Sequence, residues 1–152
     1  TQMINFFDIN QRWYLVDLPG YGYAKISKSK RKEWRQMIEN YLIQRPSLAC
    51  ACILIDSNLP PQEVDIEFLD WAGKVRLPII IVFTKADKEK PKAIERKTQT
   101  YIQKMLDHAW EEAPPYFITS SLYRTGGDEL LAYISKLNEE FTNQEHLPSF
   151  DV

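Results

Sequence analysis

The stretch Trp13-Tyr-Leu-Val-Asp-Leu-Pro-Gly-Tyr-Gly-Tyr-Ala-Lys25 decides how the chain is read. An apolar run ends in an aspartate, and a glycine follows three positions later: Asp17-x-x-Gly20. Apolar residues bounded by Pro19 and Gly20 predict a buried strand that enters a flexible loop. An acid at the carboxyl end of such a strand stands where open α/β sheets bind their ligands. Asp-x-x-Gly alone recurs by chance, so its meaning depends on the rest of the chain.

Upstream, Ile4-Asn-Phe-Phe-Asp-Ile9 is strand-like, and Asn10-Gln11-Arg12 turns it back into 13–18 as a β-hairpin. Downstream, Ser27 or Ser29 caps a helix. Trp34, Met37, Ile38, Tyr41 and Leu42 line one face of that helix, and Pro46 marks its end. Cys50-Ala-Cys-Ile-Leu-Ile55 predicts a second buried strand ending at Asp56. Pro60-Pro61 is a loop, and Val64, Phe68, Trp71, Ala72 and Val75 are spaced for a second helix. Pro78-Ile-Ile-Ile-Val-Phe83 is the strongest strand signal and runs into Thr84-Lys-Ala-Asp87. A polar helix is expected from about 92 to 108, with Ile94, Tyr101, Ile102, Met105 and Leu106 inward. Pro115-Tyr-Phe-Ile118 is a short strand ending at Thr119-Ser120-Ser121. Leu130, Leu131, Ile134, Leu137 and Phe141 mark a last helix, and 144–152 reads as a loose tail.

Strands alternating with helices predict an α/β three-layer sandwich with a mostly parallel sheet and one antiparallel hairpin strand. In such a sheet the three polar signatures, at Asp17, at Thr84 to Asp87 and at Thr119 to Ser121, lie along one edge. Their convergence is far more specific than any one of them.

With 152 residues, 44% hydrophobic and 26% charged, the chain is an ordinary globular one with a single domain expected. No apolar run reaches the roughly 18 residues of a membrane span. Two cysteines make no disulfide framework, so a cytoplasmic setting is the default. The net charge of −2 argues against a wholly basic nucleic-acid binder but conceals a local cluster.

The signatures suggest a chemistry. A carboxylate such as Asp87 can accept two bonds from the adjacent N1 and N2 donors of guanine, whereas adenine presents an acceptor there. Sites built on such pairing discriminate by roughly 10⁴-fold, because the wrong ligand leaves buried groups unpaired. Lys85 can lay its alkyl stem over the base. Ser120, Ser121 and the backbone N–H of Leu122 can hold the base from the other side. Asp17 can hold Mg²⁺, and Gly20 can donate its N–H to a terminal phosphate, since Pro19 has no donor. The bland alternatives are a helix N-cap aspartate in a solvated loop for Asp87 and a serine cap for Ser120.

Residues Thr1-Gln2, Asn5-Phe6, Asp17-Leu-Pro-Gly-Tyr-Gly-Tyr-Ala24, Thr84-Lys-Ala-Asp87 and Ser120-Ser121 come in the order and at the intervals of a known family. The chain resembles the ribosome-assembly GTPases of the EngB (YihA/YsxC) type, within the Ras-like P-loop GTPases, from residue 1 to about 141. The resemblance implies a GTP-binding domain over 1–143 and a tail over 144–152. It implies that Thr1, Gln2, Asp17, Leu18, Pro19, Gly20, Thr84, Lys85, Ala86, Asp87, Thr119, Ser120 and Ser121 bind GTP or GDP, with Thr1 and Asp17 on Mg²⁺. Thr84 stands where most GTPases have asparagine, a common exchange in this family. The family's partner is the large ribosomal subunit and its RNA; its role is in subunit assembly, with cell division and septation depending on it. A cytoplasmic monomer without membrane contact is expected.

Tyr21 stands where many small GTPases carry the glutamine that orients the attacking water. Slow hydrolysis is therefore expected, and no catalytic residue is assigned. The chain has no Gly-x-x-x-x-Gly-Lys-Ser/Thr phosphate loop. In this fold that loop, with the first strand and first helix, precedes the position of Thr1. The expectation is that the physical protein carries them and that GTP hydrolysis requires them. The alternatives are a nucleotide-free RNA- or protein-interaction module, or a fragment unable to bind GTP.

Lys25, Lys28, Lys30, Arg31, Lys32 and Arg35 form a basic patch just beyond the second switch, with Glu33 the only acid among them. It is either a solvated helix face or a contact for ribosomal RNA. Cys50 and Cys52 are expected as buried small hydrophobes. His108 and His146 sit in polar segments and suggest no catalytic dyad.

Overall fold

The structure is a computed structural model that describes residues 3–21 and 27–145, the side chains of Lys28 and Glu145 excepted. The chain divides into two compact units, Thr1–Leu48 and Ala49–Val152.

In the first unit, β1 (Asn5–Ile9) pairs antiparallel with β2 (Trp13–Asp17), Asn5 opposite Asp17 and Ile9 opposite Trp13. The hairpin turns at Asn10 and Gln11, both left-handed (φ 54 and 57). Asp8 Oδ1 accepts from the Gln11 N–H at 2.8 Å, an Asx-type closure of the kind short polar side chains provide. Helix α1 (Lys28–Ile43) is capped by Ser27, whose Oγ accepts from the Lys30 N–H. Ile38 and Leu42 are its buried pair, and Met37 is exposed. The Arg45 guanidinium lies over the rings of Phe6 and Tyr41, 4.9 and 4.8 Å from their centroids.

In the second unit, β3 (Ala51–Asp56), β4 (Ile79–Thr84) and β5 (Tyr116–Ile118) form a wholly parallel sheet in the order β3-β4-β5. Asp56 lies opposite Thr84, and Phe83 opposite Ile118. The apolar run 79–83 is buried throughout, as expected of a strand covered on both faces. Helices α2 (Glu63–Lys74), α3 (Pro91–Leu106) and α4 (Gly127–Glu145) complete the unit. Phe68, Leu69 and Ala72 of α2 and Ile94, Tyr101, Ile102 and Met105 of α3 are buried. Phe83 packs edge-on against Tyr101 at 5.7 Å, and Phe117 packs against Tyr133 of α4 at 5.4 Å. Each fully buried side chain of this size contributes roughly 1.5–3 kcal/mol of transfer free energy.

The buried Tyr101 has a second task. Its hydroxyl accepts from the Gln62 N–H at 2.9 Å and lies 3.1 Å from Asp65 Oδ2. It thus satisfies a backbone donor at the start of α2 that no side-chain cap serves. Burial pushes the phenol's pKa well up, and Asp65 adds to that.

Several sequence expectations need correction. Cys50 is half-buried and lies before β3, and Cys52 is exposed. β3 alternates buried and exposed residues because one face of the strand is covered and the other is not, so Cys52 and Leu54 (66% exposed) share the uncovered face. Both thiols are nonetheless hindered from ionising: burial pushes Cys50 up to about 12 and also raises Cys52. Leu106, expected inward, is 36% exposed; of the residues that mark the last helix, Leu131 is 59% exposed, and Tyr133 of α4 packs against Phe117. Helix α4 runs to Glu145, so residues 144 and 145, expected in a loose tail, are helical. His108 is paired: its Nδ1 lies 2.9 Å from Asp70 Oδ2, tying the segment after α3 to α2.

Candidate functional site

The parallel register brings the carboxyl ends of β3, β4 and β5 to one edge. There the backbone continues to pair beyond the strands. The Thr119 N–H donates to the Phe83 carbonyl at 2.7 Å, and the Ala86 N–H donates to the Thr119 carbonyl at 3.1 Å. The Thr119 hydroxyl adds a bond to the Phe83 carbonyl at 3.2 Å. Segments 84–89 and 119–126, widely separated in sequence, are therefore stitched together.

Asp87 lies in a one-turn 3-10 helix, Ala86–Lys88. It does not cap α3, whose N-cap position is Lys90 with Pro91 following. Its Oδ1 accepts from the Ser120 hydroxyl at 2.6 Å. Ser120 is only 3% exposed, and its hydroxyl in turn accepts from the Tyr123 N–H at 3.2 Å. Ser120 and Thr125 exchange both backbone bonds at 3.1 Å, closing the turn between them. Ser121, Leu122 and Tyr123 are exposed around that turn. Ser120 thus orients the Asp87 carboxylate, while Ser121 and Leu122 stand in the open.

The turn ends at Gly126, in the left-handed region at φ 74. A Cβ there would sit 2.1 Å from the Ile118 carbonyl oxygen, so no other residue fits without moving a strand end. Sequence reasoning passed over this glycine. Its signal was weak: a Gly-Gly pair before a helix has many uses.

Lys85 is also left-handed, at φ 59 and ψ 35. Its Nζ forms an ion pair with Asp56 Oδ2 at 2.8 Å. Partial burial pushes the Asp56 carboxyl up, but the Lys85 ammonium and two donors from Asn58 outweigh it and bring it down to about 2. Thr84 directs its hydroxyl to the Ile55 carbonyl at 3.3 Å, an interstrand role within the sheet.

In the first unit, Asp17 ends β2 with its side chain exposed, Leu18 is half-buried and Pro19 is buried. Gly20 is exposed, and among the described residues, its chain neighbours apart, nothing lies within 4 Å of where its Cβ would stand. Packing among the described residues does not demand a glycine there. Among the described residues of the basic patch, Lys30 and Lys32 are exposed and Arg31 is half-buried. Arg35 pairs with Glu39 at 2.7 Å, so it is committed within its helix. Thr1, Gln2 and Lys25, together with the Lys28 side chain and His146, lie outside the described residues. Among the described residues there is no group of three or more metal-ligating side chains, and no helix is long and apolar enough to cross a membrane.

A family model described as "50S ribosome-binding GTPase" matches residues 1–85. A probable GTP-binding protein EngB from Porphyromonas gingivalis is 49% identical over 144 residues, covering 95% of this chain and 71% of the relative. The chain belongs to the EngB family of GTP-binding proteins. A second EngB relative, from Christiangramia forsetii, is 48% identical over 138 residues, 91% of this chain and 69% of its own. A crystal structure of a probable GTP-binding protein EngB superposes with a TM-score of 0.75 at 17% identity, covering 91% of this chain and 83% of that one. The elongation factor SelB of Methanococcus maripaludis matches 58% of this chain and 19% of its own, with a TM-score of 0.53 and 23% identity. At these identities the two structures establish the fold, and the α/β arrangement of an EngB-type, Ras-like GTPase domain is the one described above.

Proposed function

We propose that the intact protein is a guanine-nucleotide switch that hydrolyses GTP slowly and acts on the large ribosomal subunit. The observation that carries this reading is the Asp87–Ser120 pair. A carboxylate fixed through one oxygen by a buried hydroxyl, at the carboxyl edge of a parallel sheet, suits the paired N–H donors of guanine. Lys85, Ala86, Thr119 and Ser121 flank it on the same two segments. Gly20 leaves its backbone N–H accessible to a terminal phosphate, and the residues beyond it in sequence lead to the basic start of α1.

Mg²⁺ fits the described half of its expected site. The exposed Asp17 carboxylate is a hard oxygen donor, and Mg²⁺ needs only one or two of these when phosphates and water complete its shell. The ion would neutralise phosphate charge; Asp17 would hold it, with Thr1 the second donor. Tyr21 offers no amide to orient water, which favours slow hydrolysis without a partner. The exposed Lys30 and Lys32 are the described residues best placed to meet RNA phosphates. Through that contact the protein would serve subunit assembly in the cytoplasm, as a monomer, with septation depending on ribosome supply.

Titration of the full-length protein with GTP, GDP and ATP tests the reading. Guanine nucleotides are expected to bind with ATP at least about a hundredfold weaker, and Asp87→Asn to remove most of that preference. Equal binding of ATP and GTP by the unaltered protein would sink the role given to Asp87.

A further inference from the structure

The three residues that close β3, Asp56-Ser57-Asn58, belong to none of the strand-end signatures. They nevertheless hold the segment that contains Lys85. Ser57, 2% exposed, donates twice to the Thr84 carbonyl, from its N–H at 3.0 Å and from its hydroxyl at 2.7 Å. Asn58 Nδ2 donates to the next carbonyl, that of Lys85, at 3.1 Å. Asp56 Oδ2 receives the Lys85 ammonium at 2.8 Å. Asp56 Oδ1 receives the Asn58 N–H and Nδ2 at 3.0 and 2.9 Å. Lys97 of α3 then donates both to the Asn58 carbonyl and to Glu89, joining this segment to the far end of the same loop.

These bonds fall on one uncommon conformation. A lysine at φ 59 is in a sparsely populated region, and such residues persist only where the surroundings over-determine them. Here both carbonyls on either side of the strained residue, and the end of its side chain, are bound by three consecutive residues. The ion pair also spends the lysine's charge inside the protein. An amine moored at its tip presents its four-carbon stem in a narrow range of positions, and its charge is partly neutralised toward anything else.

We infer that Asp56-Ser57-Asn58 is a positioning segment for base recognition, which sets the left-handed backbone of Lys85 and moors its ammonium so that the stem meets the guanine ring in one pose. The inference rests on the guanine reading of this edge. It makes Asp56 and Asn58 determinants of nucleotide residence without contact with the nucleotide. Because GTP and GDP share their base, loss of the segment weakens both by the same factor and leaves their ratio unchanged.

The test is the release rate of fluorescently labelled GDP from the full-length protein, with GTP affinity measured in parallel. Asp56→Asn is nearly isosteric: it keeps an oxygen for the Asn58 N–H and places an NH₂ against the Lys85 ammonium. It is expected to release GDP roughly fivefold faster, the upper end for a half-exposed ion pair, and to weaken GTP equally. Lys85→Met, which keeps an unbranched stem and deletes the charge, is expected to match it. The double variant should lose no more than either single one, the mark of two residues acting as one unit. A merely structural role would lower the melting temperature, with the two losses coupled there, but would leave GDP release and GTP affinity unchanged in the folded protein. Should Asp56→Asn fold poorly, Asn58→Ala, which deletes the bond to the Lys85 carbonyl, serves instead and is expected to release GDP faster and weaken GTP by the same factor. The inference is overturned if GDP release is unchanged, or if the losses multiply, in a protein that still prefers guanine over adenine. Absence of that preference in the unaltered protein would fell the guanine reading itself, and the inference with it.

Discussion

Two strand ends of this chain carry polar signatures of the same general kind, yet they are built in opposite ways. Around Asp87 the chain supplies its own restraints: Ser120 is buried and bonded to the carboxylate, and Asp56 moors Lys85. Around Asp17 the described chain is more exposed: Asp17 ends a strand paired with Asn5, its side chain and Gly20 are exposed, and among the described residues nothing beyond Gly20's chain neighbours lies within 4 Å of a Cβ at Gly20. A base is the same in GTP and GDP, so the part that reads it can be preset by folding. A terminal phosphate comes and goes, so the part that senses it must take its final order from the ligand. The contrast is what a switch with a constant anchor requires.

The largest expected effect tests whether the edge proposed to read the base is set by folding. Gly126→Ala places a methyl 2.1 Å from the Ile118 carbonyl at a φ of 74. The strand end or the turn must shift, at a cost of roughly 3 kcal/mol or more. A drop in melting temperature on the order of 10 °C is expected, since about 1 kcal/mol moves a chain of this size by a few degrees. Guanine-nucleotide affinity should fall with it, because Ser120 and Thr125 lie in the displaced turn. Unchanged stability would mean that the turn is looser than its geometry indicates, and the contrast with the Asp17 region would lose its basis.

A smaller effect concerns the other region. Lys30 and Lys32 are exposed, whereas Arg35 is already paired with Glu39. If the start of α1 meets RNA phosphates, replacing both lysines by glutamine removes about two counterion-releasing contacts. The slope of log affinity for the large ribosomal subunit against log salt should then flatten by roughly 1.5–2. Arg35→Gln should alter that slope less than either lysine. Equal slopes for all variants would assign the patch to solvent.

How much of this was readable beforehand follows from what each feature depends on. The buried run 79–83 and a serine cap at Ser27 or Ser29, which the structure assigns to Ser27, are local patterns, and local patterns carry their own signal. Of the three strand ends expected along one edge, those at Thr84 and Thr119 share a sheet, while Asp17 ends a strand of a separate hairpin. The β3 run was misread for a definite reason: a continuous apolar stretch does not reveal whether its strand is covered on one face or on both. Cys52 and Leu54 therefore read as core, while the structure exposes them. Asp56, Ser57 and Asn58 were invisible as site residues because their partners lie 27 or more positions away and are mostly backbone carbonyls, which every sequence contains. Ser120 stood out in the sequence as a strand-end residue, but only the fold shows that its hydroxyl is spent on Asp87.

The smallest effect isolates one restraint of the preset region by pH. The Asp56 carboxyl is lowered from 3.8 to about 2, where the Lys85 ammonium and the Asn58 donors together outweigh burial. A carboxyl whose folded pKa lies below its unfolded one binds fewer protons when folded, so it favours the folded state once it is ionised. That contribution is fully present above about pH 4 and is lost as pH falls from there toward 2, when both states become protonated. Asp56→Asn cannot ionise, so it lacks this term throughout. Its stability deficit relative to the unaltered protein should therefore be constant at neutral pH and shrink as pH falls from about 4 toward 2. Chemical denaturation at a series of pH values measures this as a difference between two curves, which cancels the titration of the other carboxylates. A deficit that stayed constant down to pH 2 would mean that the carboxylate is not held by Lys85 and Asn58 in solution. The preset region would then rest on its remaining bonds, from Ser57, Asn58 and Ser120 and the backbone pairing at Thr119, without the Asp56 ion pair.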